Sequence, residues 1–177
     1  MLRKASVADP TSVGVRRTLA YVQLQNNDSA EALETSRWVI THDPDGEFAD
    51  QTHGRALYLS GRIDKALEWL NKAGSQWGHR GYVLTLMGRH DEARALAAIH
   101  PGEPARQLLI YAGLKDVERT LDALRRTALD NPWRAAVWME WPEIEPVLRH
   151  DPRAAAIRAQ LLGPTCVRSE AVRGLEE

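Results

Sequence analysis

The chain is poor in the residues that anchor much small-protein chemistry. A single cysteine, Cys166, stands among 177 residues, which excludes an internal disulfide and any cysteine-based zinc cluster. Phenylalanine occurs once, and aromatic residues make up only 6% of the chain, most of them tryptophan. No block of like charge occurs: 23 Lys and Arg are interleaved with 24 Asp and Glu, for a formal net charge of −1. Neutralising phosphates takes clustered cations, so neither nucleic acid nor an anionic membrane surface is an expected partner. No run approaches the ~18 apolar residues of a membrane span. The basic start Met1-Leu2-Arg3-Lys4 is not followed by the apolar stretch of a secretory signal, so a cytoplasmic location is the expectation. Glycine patterns of phosphate and dinucleotide loops are missing, and no cofactor is expected.

What the chain does contain is repetition. Gly61-Arg-Ile-Asp-Lys-Ala66-Leu67 recurs as Gly88-Arg-His-Asp-Glu-Ala93-Arg94. A weaker copy, Asn27-Asp-Ser-Ala-Glu-Ala32-Leu33, precedes them, and Gly113-Leu-Lys-Asp-Val-Glu118-Arg119 follows. Gly or Asn past a helix end tolerates the left-handed conformation that stops the helix. The acid after it suits the positive start of the next helix, and a small residue five places on lets the two helices approach closely. The copies are spaced 34, 27 and 25 residues apart.

Between these marks the apolar residues recur at helical period, as in Ile63, Ala66, Leu67 and Leu70, and no alternating β-branched run is bounded by hairpin turns. The pattern predicts helices near 11–26, 29–42, 47–60, 63–73, 77–87, 90–99, 103–112 and 116–129. The chain resembles the tetratricopeptide repeat (TPR) family from about residue 10 to residue 129, with Gly54 and Gly81 at the family's glycine position and Trp77 at its tryptophan position. The final third, with Tyr111-Ala-Gly-Leu-Lys-Asp116, Pro132-Trp133, Pro146-Val-Leu148 and Asp151-Pro-Arg153, is similar to the repeat tails of bacterial signalling proteins, and that likeness implies a last short helix at 151–161; Ala154 replaces the aromatic usual there. The resemblance implies an all-α, right-handed α-solenoid of TPR-like helix-turn-helix repeats with a short C-terminal capping unit. Residues 1–163 are expected to form one domain, with repeats at 12–44, 47–73, 76–100 and 102–130, a cap at 131–163, and a flexible tail at 164–177.

The implied function is a non-catalytic adaptor or regulatory module that holds a protein or peptide in its concave groove. Such a stack lines its concave side with the first helix of each pair. Counting from the turns puts Arg17, Tyr21 and Gln25, then Gln51, Arg55 and Tyr58, then His79, Tyr82 and Thr85, then Gln107 and Tyr111 on that lining. All four tyrosines fall there, and Tyr and Arg are favoured interface anchors. The alternative for each tyrosine is packing between helices with only its hydroxyl exposed. Arg17 and Arg55 suggest a carboxylate on the partner. A second expectation is self-association as a homodimer through Trp133, Trp138 and Trp141. A third, an enzyme on the repeat scaffold, would show a deep pocket holding Glu140, Glu143 or His150 together in place of an open groove. The six histidines lack the i, i+4 pairing of metal ligands, so no metal site is expected, and Cys166 lacks an evident His or acid partner for nucleophilic work.

Overall fold

The computed structural model describes residues 9, 11–44, 49–73 and 77–166. These residues form eleven helices and no strand. They are α1 (Val13–Gln25), α2 (Ser29–His42), α3 (Ala49–Leu59), α4 (Ile63–Ala73), α5 (Trp77–Leu86), α6 (His90–Ala98), α7 (Pro104–Gly113), α8 (Val117–Asp130), α9 (Pro132–Trp138), α10 (Glu145–Leu148) and α11 (Pro152–Cys166). The first eight lie within two residues of the expected bounds. The short helices α9 and α10 fall inside the expected cap, where periodicity alone marked no helix. Helix α11 is broken at Gly163, whose φ is 68°, and reaches Cys166; of the expected tail, residues 167–177 lie outside the described residues.

The helices pack as sequence neighbours, α1 on α2, α3 on α4, α5 on α6 and α7 on α8. This is the all-helical repeat fold that the pattern implied. The chain divides into two compact units, residues 1–99 and 100–177, at the boundary between the third and fourth expected repeats.

The turns within the pairs share one hydrogen-bond pattern. Residues with positive φ stand at Asn27, Gly61, Gly88 and Lys115. At each, its own N–H donates to the carbonyl three residues back, and the next N–H donates five residues back: Asn27 to Leu24 and Asp28 to Gln23, Gly61 to Tyr58 and Arg62 to Leu57, Gly88 to Thr85 and Arg89 to Leu84, Lys115 to Ala112 and Asp116 to Tyr111. This double closure satisfies carbonyls that the helix end leaves open. It also corrects the register of the fourth copy. Gly113 is the last residue of α7, and Lys115 takes the left-handed position. The spacings become 34, 27 and 27 residues. The small residue five places on is then Thr120, fully buried like Ala32, Ala66 and Ala93. Its hydroxyl donates to the Asp116 carbonyl at 2.6 Å, which removes the cost of burying it. Of the acids expected to cap the following helix, Asp116 does so by side chain, accepting from the Arg119 N–H at 3.1 Å. Asp64 and Asp91 instead occupy the first turn, where they face the positive helix end.

In the first unit the core gathers Leu24, Leu33, Ala56, Leu57, Leu70 and Val83 around α3. Gly54 permits the contact of α3 with α4: a Cβ there would stand 2.6 Å from Cδ2 of Leu70. In the second unit α8 is the hub, touched by α7, α9, α10 and α11. Leu108, Leu121, Leu124, Met139, Trp141 and Ile144 are buried there. Ala154, where the resemblance led to an aromatic, is buried too.

Candidate functional site

In the first unit the first helices of the pairs stand side by side, α3 packing on both α1 and α5. They carry the residues expected to line a binding surface, and these residues divide by burial. Arg17, Tyr21, Gln25, Gln51 and Tyr82 are half-buried and open in part to solvent. Arg55, Tyr58, His79 and Thr85 are buried, Arg55 to 1% and Tyr58 to 3% exposure. The expectation that Arg55, Tyr58 and His79 present themselves to a partner is therefore corrected: they form a layer beneath the surface. The reason is the environment of α3, which touches α1, α2, α4 and α5, so every side chain from Thr52 to Tyr58 is covered.

That buried layer is interlocked. The Tyr58 hydroxyl lies 3.1 Å from Nδ1 of His79, joining α3 to α5. The Tyr58 ring sits 5.3 Å from that of Tyr82, tilted by 45°. Such geometry packs the half-buried Tyr82 ring against the buried layer.

On the other side of α3, a second buried polar contact escaped the sequence reading. The Ser36 hydroxyl of α2 donates to the Leu33 carbonyl at 3.2 Å and lies 3.0 Å from Nδ1 of His53. With its own hydrogen engaged, the serine oxygen accepts from Nδ1–H, which leaves Nε2 of a neutral His53 unprotonated. Burial pushes the His53 pKa down to about 4, and the positive charge of Arg37 adds to the effect. The Trp69 ring meets His53 edge-on at 4.8 Å. A serine and a histidine 17 residues apart on different helices carry no sequence signal, because only helix packing brings them together.

The second unit is described by itself. Gln107, expected on the lining, is buried and accepts from Arg126 Nη2 at 3.0 Å, so α8 occupies its amide. Tyr111 is half-buried beneath the Arg119 guanidinium, 5.8 Å from its ring centre. Of the three tryptophans expected to mediate self-association, Trp138 and Trp141 stack at 4.4 Å and Trp141 is buried, which takes it out of reach of a second chain. Trp133 is 72% exposed. Glu143 is buried, whereas His150 is exposed and the exposed Glu140 accepts from Arg158 at 2.7 Å. Arg153 closes the unit: it donates to both carboxylate oxygens of Glu118 at 2.9 and 2.7 Å and also binds Asp151, tying the start of α11 to α8. The Arg153 hydrogen bonds hold the Asp151 carboxyl at about 2, well below its ordinary value.

Among the described residues no helix is long and apolar enough to cross a membrane. The tetratricopeptide repeat family matches residues 52–72 and 77–98, the segments that hold α3–α4 and α5–α6. No curated protein and no solved structure matches the chain.

Proposed function

We propose that this chain, whose residues 52–72 and 77–98 match the tetratricopeptide repeat family, is a non-catalytic adaptor that holds a protein or peptide on the open side of α1, α3 and α5. Repeats of this family generally mediate protein–protein interaction. The observation that carries the reading is the two-level arrangement of the first unit. Arg17, Tyr21, Gln51 and Tyr82 stay half-buried on these helices, and the Tyr82 ring packs on the buried Tyr58, which in turn pairs with His79. Side chains held from below lose little freedom when a partner docks, so more of the contact energy appears as affinity.

The test is capture of a binding partner by the native chain and by a Tyr21→Ala/Tyr82→Ala variant. Tyr58 is left intact because its removal would disturb the core. A protein bound by the native chain and weakened at least about tenfold by the variant supports the surface, since an interface aromatic typically contributes 1–2 kcal/mol or more. Equal binding by a folded variant refutes it.

One observation favours self-association as a second reading. Leu129 is 84% exposed and Trp133 72% exposed, four residues apart across the turn from α8 to α9. Sedimentation of the native chain and of Trp133→Glu separates the readings: a mass that rises with concentration only in the native chain supports pairing through this end.

A further inference from the structure

A cleft of about 260 Å³ opens in the first unit between α2 and α4, with His53 and Leu57 of α3 among its lining residues. Its charged rim comes from the second helices of the pairs, and none of its lining residues is among Arg17, Tyr21, Gln51 and Tyr82 of the surface discussed above. Its rim is strongly one-signed. Arg37 comes from α2, while Arg62, Lys65 and Lys72 come from α4 or the residue before it; the acid among them is Glu68. Lys72 pairs with Glu68 at 2.7 Å. Arg37, Arg62 and Lys65 form no ion pair among the described residues. This concentration of cations contrasts with a chain whose net charge is −1.

The arrangement follows from helix geometry. Positions 62, 65, 69 and 72 recur at steps of three and four, which places them along one face of α4. That face is turned toward α2, so Arg37 comes to meet it. Trp69 lies in the same row and lines the cleft. Its indole Nε1 is buried and has no hydrogen-bond partner. A buried N–H without a partner costs about 1–3 kcal/mol and is uncommon, so the indole beside the cleft is not held by a hydrogen bond of its own.

We propose that this cleft binds an oxyanion, a carboxylate or phosphate group borne by an acidic segment of a partner protein. An anion there would meet guanidinium and ammonium groups that form no ion pair, beside the indole of Trp69. Charge-assisted hydrogen bonds of this kind are about twice as strong as neutral ones, and a partly enclosed cleft focuses the field of its rim. His53 and Leu57 line the cleft without adding a negative charge.

The experiment follows the tryptophan indole N–H resonances of the ¹⁵N-labelled full chain, with Trp69 assigned by its loss in Trp69→Phe. Inorganic phosphate, acetylated hexaglutamate and sodium chloride are titrated at matched ionic strength. Saturable movement of the Trp69 resonance with phosphate or hexaglutamate, but not with chloride, is the expected result. Phosphate alone acting points to a phosphorylated segment, and hexaglutamate acting points to a carboxylate-rich one. Arg37→Gln/Lys65→Gln should weaken binding at least about tenfold. A control of equal charge change, Arg94→Gln/Arg149→Gln, should leave it within about twofold because both arginines are exposed and paired elsewhere. The proposal is overturned by an unmoved resonance, by an equal response to chloride, or by equal losses in the two double variants. Because the Tyr21 and Tyr82 surface is untouched in all these variants, the outcome is independent of the adaptor reading.

Discussion

Replacing Gly54 by alanine should destabilise the first unit, although alanine is the better helix former. The added Cβ would stand 2.6 Å from Cδ2 and 3.0 Å from Cγ of Leu70, which is fully buried. Carbon atoms rest near 3.5–4.0 Å, so α4 or the leucine must give by about 1 Å. Overpacking of a filled core costs about 1–3 kcal/mol, and the helix preference of alanine returns about 1 kcal/mol. The net loss is about 1 kcal/mol, or a fall in Tm of about 4–8 °C for a unit of roughly 100 residues. Gly14 of α1 provides the control, since a Cβ there meets nothing within 4 Å. Gly14→Ala should therefore raise Tm slightly. Calorimetry on both variants measures the difference, and circular dichroism checks helicity. Leu70→Ala, which costs about 2–5 kcal/mol alone, should cost about 1 kcal/mol less beside Ala at position 54, because the new methyl fills part of the cavity. If Gly54→Ala stabilises as much as Gly14→Ala, and Leu70→Ala costs the same in both backgrounds, the close contact of α3 and α4 does not constrain this position.

Three further outcomes follow from the geometry. His53 is held near 4 against an ordinary value of 6.5, so the unfolded chain binds the extra proton first; stability should be full above pH 6.5 and decline by up to about 3 kcal/mol as pH falls toward 4. Urea denaturation across that range checks it, and His53→Gln should flatten the slope. Lys115, with φ of 56°, takes the place that glycine fills in the second and third turns, so Lys115→Gly should stabilise the second unit by about 0.5–1 kcal/mol while Gly88→Ala destabilises the first by about 1 kcal/mol. Arg153→Gln should lower the melting temperature of the second unit, and the difference from the native chain should shrink in high salt, as measured by calorimetry with and without added sodium chloride.

Local physics alone made the helices and turns legible. Apolar spacing at three and four residues marks Ile63, Ala66, Leu67 and Leu70 as one buried stripe, and Gly61 and Gly88 mark ends because a left-handed residue suits them best. The same rule misplaced the fourth turn, since glycine is a preference and not a requirement: Lys115 adopts positive φ where the double hydrogen-bond closure demands it.

The candidate surface was legible only by helix, not by residue. Counting from turns assigns a face to each helix in isolation, which is how Tyr21, Tyr82, Tyr58 and Arg55 came to share one lining. What separates the half-buried pair from the buried pair is how many neighbours α3 has, and that depends on packing among α1, α2, α4 and α5. The cationic row on α4 was present in the spacing of Arg62, Lys65 and Lys72. Its meeting with Arg37 beside the half-buried Trp69 was not. A sequence determines periodicity, turn chemistry and the size of side chains that must be buried, because these act between residues close along the chain. Tertiary structure alone decides which polar groups are covered, since desolvation depends on every element packed against them.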